Sequence, residues 1–243
     1  MKIRVAVVTG GTGAIGTEIC RQLAQGGARV AAVGHPSDAA RIPAWREALP
    51  GTHVELCDLA DFVATGAAFA AIERALGPVE ILVNAAGITR DARLAKMTPE
   101  QWRQVLGANL DSVFNATKAV FEGMCSRGFG RIVNISSVNG QKGQFGQANY
   151  SAAKAGMHGF TMAVAQEGAA KGVTVNTVSP GYIETPMTAA VKPEALQKII
   201  ESIPAGRMGT PADIARAVAF LCADDAGYVT GANLAVNGGL YMS

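Results

Sequence analysis

The chain has 243 residues, of which 49% are hydrophobic and 16% are charged, and its formal net charge at pH 7 is +2. So small a charge gives no support for binding to nucleic acid or to an anionic membrane surface. The four cysteines form no C-x-x-C pair and the three histidines are scattered, so no metal site is predicted. Without a segment that resembles a signal peptide or a membrane span, we expect a cytoplasmic, soluble protein.

A glycine-rich turn follows the first apolar run. Residues 3–8 have the composition of a β-strand, the sequence Thr-Gly-Gly-Thr-Gly-Ala-Ile-Gly comes next, and a helical pattern continues from it. Strand, glycine turn and helix together suit the pyrophosphate of a dinucleotide. The glycines let the backbone approach the phosphates, and the helix N-terminus supplies free amides. Gly11, Gly13 and Gly16 match G-x-G-x-x-G in the context that this motif requires.

Apolar, β-rich runs alternate with helical segments along the whole chain. Strands are predicted at 3–9, 28–33, 53–57, 79–84, 130–136, 172–178 and 232–236. Helices are predicted near 13–25, 39–48, 61–75, 98–125, 148–170, 188–201 and 211–223. This alternation indicates a parallel sheet that is covered on both faces. We therefore predict a single α/β domain over residues 1–243, a Rossmann-type doubly wound parallel sheet of about seven strands, with a substrate lid around 187–205.

Tyr150 and Lys154 stand four residues apart, and Ser137 lies thirteen residues before the tyrosine. Side chains with this spacing share one face of a helix, so an ammonium is held beside a phenol. We expect Lys154 to lower the pKa of Tyr150 and to make it a proton donor or acceptor near neutrality. Ser137 would hydrogen-bond the same substrate oxygen. Tyr-x-x-x-Lys alone is a weak pattern, because an aromatic residue packed beneath a solvated lysine has the same spacing.

Four polar or glycine positions coincide with the ends of predicted strands. Gly10, Asp58, Asn84 and Ser137 each stand at or just beyond such an end. Ligands of open parallel sheets bind at the carboxyl ends of the strands, so we expect these residues to line one site. Asp58 could instead cap the helix that follows it.

In their order along the chain, these motifs resemble those of the short-chain dehydrogenase/reductase family, and the resemblance covers essentially the whole sequence. The matching motifs are Thr9-Gly10 through Gly16, Asn84-Ala85-Ala86-Gly87, Asn109, Ser137, Tyr150 with Lys154, and Pro180-Gly181. The sequence departs from the family at Ala14, where the family has glycine, and at Ala85, where it has asparagine. Residues 134–147, together with 87–91 and 237–239, resemble more narrowly the acetoacetyl-CoA reductases of polyhydroxybutyrate synthesis.

The resemblance implies a nicotinamide-dependent reductase of a 3-ketoacyl thioester. Its implied catalytic residues are Asn109, Ser137, Tyr150 and Lys154. Its implied cofactor-binding residues are Gly10, Gly13, Ala14, Ile15, Gly16, Gly34, His35, Arg41, Asp58, Asn84, Ala85, Gly87, Tyr150, Lys154, Pro180, Gly181, Ile183 and Thr185. Its implied substrate-binding residues are Asp91, Ser137, Gln144, Phe145, Gln147, Tyr150 and Tyr182. The resemblance favours a role for Asn109 in holding a water that relays protons toward Lys154, over the alternative that it satisfies a kink in the long helix.

The resemblance also implies a cofactor and partners. The residues just after the second strand select between NADH and NADPH, and here they include neither an acid nor an arginine. Asp38 is close, but we expect it to cap the next helix and not to bind the ribose. Arg41 would reach a 2′-phosphate. The family favours NADPH, so we expect NADPH and NADH both to work, with NADPH slightly ahead. The expected partners are a small acyl-CoA substrate and three further copies of this chain, since the family forms homotetramers through the helices at 98–125 and 148–170. The candidates for that interface are Trp102, Val105, Val113 and Phe114.

Three functions remain open from the sequence. The narrow resemblance implies an acetoacetyl-CoA reductase that makes (R)-3-hydroxybutyryl-CoA. The alternatives are a 3-oxoacyl-acyl-carrier-protein reductase of fatty acid synthesis and a non-enzymatic nucleotide-sensing scaffold, although a scaffold has no need of all four catalytic residues. A carrier-protein enzyme needs a basic patch near its cleft. Candidates for that patch are Arg127, Arg131 and Lys171, and candidates for binding CoA phosphates are Arg90, Lys142 and Lys192.

Overall fold

The computed structural model describes residues 3–189 and 193–242. Within these ranges, seven parallel strands form one sheet in the order β3-β2-β1-β4-β5-β6-β7. The strands are β1 Val5–Thr9, β2 Arg29–Gly34, β3 His53–Leu56, β4 Ile81–Asn84, β5 Gly130–Ile135, β6 Val173–Pro180 and β7 Asn233–Val236. The strand order reverses between β1 and β4, so a crevice opens there at the carboxyl edge of the sheet.

Helices cover both faces of this sheet. They are α1 Ala14–Gln25, α2 Ile42–Ala48, α3 Phe62–Leu76, α4 Pro99–Leu106, α5 Ser112–Arg127, α6 Val138–Lys142, α7 Ala148–Gly168, α8 Pro186–Ala189, α9 Pro193–Glu201 and α10 Pro211–Cys222. Successive residues of a strand point to opposite faces, so Val8 packs with α1 and α10 while Val7 packs with α3 and α5. The predicted doubly wound α/β fold is confirmed.

The seven predicted strands are present with bounds that agree to within two residues. The helix predicted at 98–125 is interrupted, because the π-helical turn Gly107–Asp111 separates α4 from α5. The short helix α6 was not predicted. Residues 190–192 of the predicted lid lie outside the described residues, while α8 and α9 flank them. In the described ranges, no helix combines the length and the apolar character needed to cross a membrane.

The four side chains suggested for a subunit interface divide into two pairs. Val105 and Val113 are buried inside the chain. Trp102 and Phe114 are exposed, and the Phe114 ring stacks on Phe62 with the ring centroids 6.2 Å apart. Only the exposed pair therefore stays available for contact with another subunit, and the tetramer stays a prediction.

Candidate active site

The turn between β1 and α1 brings bare backbone into the crevice. Gly10 adopts a φ of +63°, and a Cβ there would lie 2.8 Å from the Cα of Ala86 in the loop after β4. A Cβ at Gly16 would overlap the carbonyl oxygen of Gly10, so the first turn of α1 also packs tightly against the loop. Among the described residues, no side chain caps the N-terminus of α1. Its first amides are therefore open to an anionic group.

A cavity of about 600 Å³ adjoins this turn. Its walls come from the glycine turn, the ends of β2 and β3, the loop after β4, and the region of α4. The predicted cofactor residues that line it are Gly10, Gly13, Gly34, His35, Arg41, Asp58, Ala85 and Gly87. The lining residues that sequence reasoning did not single out include Thr12, Ser37, Arg103, Gln104, Gly107 and Ala108. Helix α4 begins more than ten residues after the end of β4. No local sequence motif therefore shows that α4 forms part of the cavity wall.

Asp38 lies in the cavity wall and ties the loop after β2 to the glycine turn. Its carboxylate accepts hydrogen bonds from the Thr12 hydroxyl at 2.6 Å and from the His35 amide at 3.2 Å. Arg41 forms an ion pair with it at 2.8 Å. Burial tends to raise the pKa of Asp38, but the bonds from Thr12 and Arg41 outweigh it and hold that pKa below its ordinary value. The prediction that Asp38 caps the next helix is met only in part, because His35 is the N-cap of the 3₁₀ turn Pro36–Arg41 and Asp38, its third residue, completes the capping box. Asp38 also presents a charge to the cavity.

The loop after β4 keeps its position without the asparagine that the family has at Ala85. The Thr9 hydroxyl accepts hydrogen bonds from the amides of Ala85 at 3.2 Å and Ala86 at 3.3 Å. The Asn84 side chain points into the interior and donates to Asn134 Oδ1 at 2.8 Å. Asn84 thus joins β4 to β5 with its side chain, and it lies outside the lining of the 600 Å³ cavity.

The loop after β6 carries the last group of predicted cofactor residues. Pro180 ends the strand, and the Gly181 amide donates to β7 at 3.0 Å. Ile183 is buried, and the Thr185 amide donates to the Thr188 hydroxyl at 2.9 Å. These residues lie beyond the walls of the 600 Å³ cavity. Ala14, Ile15 and Gly16, in the first turn of α1, likewise stand outside its lining.

Ser137, Tyr150 and Lys154 converge at the carboxyl end of β5. Ser137 is the N-cap of α6, where its Oγ accepts a hydrogen bond from the Asn139 amide at 3.1 Å, and its hydroxyl is close enough to the Tyr150 phenol to lower the pKa of that phenol. Lys154 is buried, with 4% of its surface exposed, and its Nζ donates to the Ile135 carbonyl at 2.7 Å. That Nζ lies 5.6 Å from the centre of the Tyr150 ring. Helix α6 therefore aims Ser137 at the phenol.

The pKa values of Tyr150 and Lys154 correct one expectation. Burial raises the pKa of Tyr150, the hydrogen bond with Ser137 lowers it, and the charge of Asp91 raises it. Burial lowers the pKa of Lys154 to about 7. The prediction that Lys154 lowers the pKa of Tyr150 is wrong for this structure. Burial disfavours the charged form of the amine, and the amine donates its hydrogen bond to the Ile135 carbonyl and not to the phenol. The phenol is therefore protonated at neutral pH, which is the form that a proton donor needs, but the raised pKa does not strengthen it as an acid.

Asn109 lies in the π-helical turn between α4 and α5. Its Nδ2 donates to the carbonyls of Val105 at 2.8 Å and Ile88 at 2.9 Å, so it does satisfy the interrupted helix. Its Oδ1 is buried and has no hydrogen-bond partner among the described residues. A Cβ on Gly87 would overlap this oxygen and lie 3.5 Å from Lys154 Nζ. The two polar atoms thus face one small space, which suits a bridging water.

Two of the predicted substrate residues contact each other. Gln147 Nε2 donates to Asp91 Oδ2 at 2.8 Å, and Gln147 Oε1 accepts from Asn139 Nδ2 at 3.0 Å. Asn139 was not singled out from the sequence. Asp91 and Gln147 are far apart in the sequence, so no local sequence pattern predicts the hydrogen bond between them.

The other predicted substrate residues lie nearer the surface. Gln144 and Phe145 are exposed, and the Arg93 guanidinium lies 5.4 Å from the centre of the Phe145 ring. Tyr182 lines a second cavity of about 340 Å³, whose wall also includes Arg207 and Arg216. No hydrogen bond joins Gln144, Phe145 or Tyr182 to the catalytic side chains within the described residues, so their role in binding substrate stays a prediction.

Known proteins resemble this chain over nearly its full length. The family model described as enoyl-(acyl carrier protein) reductase matches residues 11–241. The chain belongs to the short-chain dehydrogenase/reductase family. An acetoacetyl-CoA reductase of Allochromatium vinosum is 56% identical over 98% of this chain and 99% of its own length. An acetoacetyl-CoA reductase of Cupriavidus necator is 52% identical over 100% of both chains, and a 3-oxoacyl-[acyl-carrier-protein] reductase of Vibrio cholerae is 45% identical over 98% of each.

The residues present fit the nicotinamide dinucleotide that short-chain dehydrogenase/reductases use. The uncapped N-terminus of α1 and the bare backbone at Gly10 and Gly16 suit its pyrophosphate. The cavity of about 600 Å³ lies on the β2 side of this turn and has the size of a nucleotide pocket. Tyr150 and Lys154 stand on the other side, past the end of β5. An extended dinucleotide across the crevice would reach both regions.

Proposed function

We propose that this short-chain dehydrogenase/reductase reduces acetoacetyl-CoA to (R)-3-hydroxybutyryl-CoA for polyhydroxybutyrate synthesis. The observation that carries the proposal is the identity of 56% and 52%, over nearly the whole length, with two acetoacetyl-CoA reductases. The carrier-protein reductase is further away, at 45%. The Ser137 hydroxyl acts on the pKa of the Tyr150 phenol, and this proximity supports catalysis and not a scaffold role.

Each of the four catalytic side chains has its own role in the reduction of the ketone. When bound, the reduced nicotinamide supplies the hydride that reaches the ketone carbon. Tyr150 holds the proton that the ketone oxygen receives, since a phenol whose pKa is not lowered is protonated at neutral pH. Ser137 donates a hydrogen bond to the same oxygen as its negative charge develops. Lys154 and the unpartnered Oδ1 of Asn109 border the space through which Tyr150 regains a proton.

Cofactor choice depends on the opposed charges of Asp38 and Arg41 in the cavity wall. A carboxylate favours the ribose diol of NADH and repels the 2′-phosphate of NADPH, whereas a guanidinium does the reverse. The ion pair at 2.8 Å partly neutralises both groups. We therefore expect both cofactors to serve. The small advantage predicted for NADPH stays a prediction, and Asp38 acts against it.

The positions of the candidate cations favour a CoA substrate over a carrier protein. Arg131 is buried and donates to the carbonyls of Ala223 and Asp224, and Arg127 donates to the Val79 carbonyl. Both lie at the amino edge of the sheet, opposite Ser137, so within one chain they form no patch beside the cleft. Arg90 lines the crevice. Lys142 is exposed at the end of α6, and Lys192 lies outside the described residues.

The substrate is tested by comparing kcat/KM for acetoacetyl-CoA with kcat/KM for the same acyl group on acyl carrier protein, at matched ionic strength. We expect acetoacetyl-CoA to be preferred. A carrier-protein preference that weakens as salt is added would favour the alternative reductase, since such an encounter depends on charge. The cytoplasmic location, the homotetramer and the lid stay predictions.

A further inference from the structure

Three polar side chains outside the catalytic group form a continuous chain of hydrogen bonds. Asp91 Oδ2 accepts from Gln147 Nε2 at 2.8 Å, and Gln147 Oε1 accepts from Asn139 Nδ2 at 3.0 Å. The backbone amide of Asn139 then donates to Ser137 Oγ at 3.1 Å. Asp91, Gln147 and Asn139 are named the amide relay below. The relay begins at an exposed carboxylate and ends on a hydroxyl of the active site.

Asp91 sets the direction of the two side-chain bonds in the amide relay. A carboxylate accepts hydrogen bonds and cannot donate them, so Gln147 must turn its NH₂ group toward Asp91 and its oxygen toward Asn139. Asn139 must then present its own NH₂ group to Gln147. The Asn139 Oδ1 is left buried, with no hydrogen-bond partner in the described part of the chain. A buried acceptor without a partner is unfavourable, which indicates that this orientation serves the site and not stability.

Backbone contacts hold the ends of the amide relay in register. The Ala92 amide donates to the Gly146 carbonyl at 2.8 Å, and residues 92 and 147 form an isolated parallel bridge. Asn149 Nδ2 donates to the Arg90 carbonyl at 3.1 Å. The loop after β4 and the segment before α7 are thus joined on both sides of the Asp91–Gln147 bond. Asn139 connects this unit to α6, the helix that Ser137 caps.

We infer that the amide relay positions Ser137, so that Asp91 and Gln147 act through Asn139 and not as separate contacts to the substrate. The Asn139 amide occupies one acceptor site of Ser137 Oγ and fixes the direction of that side chain. The hydroxyl hydrogen then faces the Tyr150 phenol, and a bound ketone oxygen would take the place of the phenol as its acceptor. Asn139 is a positioning residue. The inference rests on the proposed function, because it assigns a role in that same reduction.

A paired substitution tests the amide relay. Gln147→Glu sets a second carboxylate against Asp91, and we expect kcat for acetoacetyl-CoA to fall about tenfold because Ser137 loses its orientation. Adding Asp91→Asn supplies an NH₂ group at position 91 that donates to the new carboxylate. That carboxylate still accepts from Asn139. The double variant is therefore expected to return to within about threefold of the parent kcat.

Two results of this experiment would contradict the inference. If Asp91 and Gln147 contact the substrate separately, the double variant shows the product of the two single losses, and the inference is wrong. It is also wrong if Gln147→Glu alone leaves kcat unchanged. Gln166→Glu makes the same chemical change on the exposed side of α7 and should leave kcat unchanged. A parent protein that does not reduce acetoacetyl-CoA would contradict the proposed function instead, whatever the variants do.

An alanine cycle covers the case in which Gln147→Glu does not fold. Asp91→Ala and Gln147→Ala each interrupt the amide relay at an accessible loop. Members of one chain are expected to be non-additive, so the double alanine variant should lose no more kcat than the worse single variant. Losses that multiply would overturn the inference. Cofactor affinity, measured by fluorescence, should match the parent in each variant and shows that the fold is intact.

Discussion

Lys154 places an ionisable amine in the interior of the protein. Only 4% of its surface is exposed, and the Ile135 carbonyl is its hydrogen-bond acceptor at 2.7 Å. Burial disfavours the charged form, and no carboxylate in the described part of the chain pairs with this amine, so the pKa falls to about 7. A strongly lowered pKa of this kind is characteristic of functional sites, which supports the proposed role of Lys154.

Lys154→Met keeps most of the side-chain volume and removes the amine. The unfolded chain binds a proton on this lysine below ~10.4, whereas the folded chain binds it only below about 7. The parent therefore loses stability as the pH falls through that window and loses no more below it. The free energy of unfolding of the variant, relative to the parent, should rise between about pH 9.5 and pH 7. Urea unfolding at both pH values measures this, and an unchanged difference would contradict a buried amine.

Asp38 and Arg41 should shift cofactor preference in opposite directions. Asp38→Asn removes the charge that repels a 2′-phosphate and releases Arg41 from its ion pair, so the NADPH-to-NADH ratio of kcat/KM should rise about tenfold. Arg41→Ala should lower the same ratio. Steady-state rates with both cofactors provide the measurement. If neither variant moves the ratio, the cofactor ribose does not lie beside this pair.

At the scale of secondary structure, the contact between the glycine turn and α1 shapes the proposed site for the pyrophosphate. Gly16→Ala should weaken cofactor binding at least about tenfold, because its Cβ would overlap the Gly10 carbonyl and force the turn open. Gly66→Ala in α3 is the matched control. No atom of the described residues lies within 4 Å of a Cβ at that position, and the variant should gain roughly 0.5–1 kcal/mol of stability. Dissociation constants and thermal unfolding distinguish the two, and equal behaviour would contradict the tight turn.

Helices and strands with a regular pattern could be predicted, but irregular ones could not. Continuous apolar strands such as Val5–Thr9 and the Thr98-Pro99 start of α4 carry their own signals. Helix α6 has five residues and no apolar periodicity, so its sequence does not reveal it. The π-helical turn is equally hidden, because it depends on Asn109 bonding to the Ile88 carbonyl in another loop.

The candidate site could be predicted where one motif contains its members. Tyr150 and Lys154 belong to one helix, and Gly10 and Gly16 belong to one turn. The bond between Thr12 and Asp38 joins different loops, and nothing local specifies it. The pKa of Tyr150 was predicted in the wrong direction because spacing does not report burial, and burial is its largest cause.

At the scale of the whole molecule, the proposed active site and the structural ion pairs lie at opposite edges of the sheet. The reversal of strand order between β1 and β4 opens the crevice for the cofactor. The catalytic group assembles beside it from the π-helical turn, the N-cap of α6 and the first turns of α7. The amino edge of the sheet carries structural pairs such as Arg4 with Glu80 at 2.7 Å. The proposed catalytic and cofactor-binding residues therefore lie at the carboxyl edge of the sheet.

The central claim is that this edge reduces acetoacetyl-CoA with the phenol of Tyr150 as the acid. The most direct measurement follows the absorbance of reduced nicotinamide with acetoacetyl-CoA, for the parent and for Tyr150→Phe. The parent should consume the cofactor. The variant, which keeps the ring and lacks the proton, should bind the cofactor normally and turn over at least ~10²-fold more slowly. Near-parent turnover by Tyr150→Phe, or no consumption by the parent, would contradict the account.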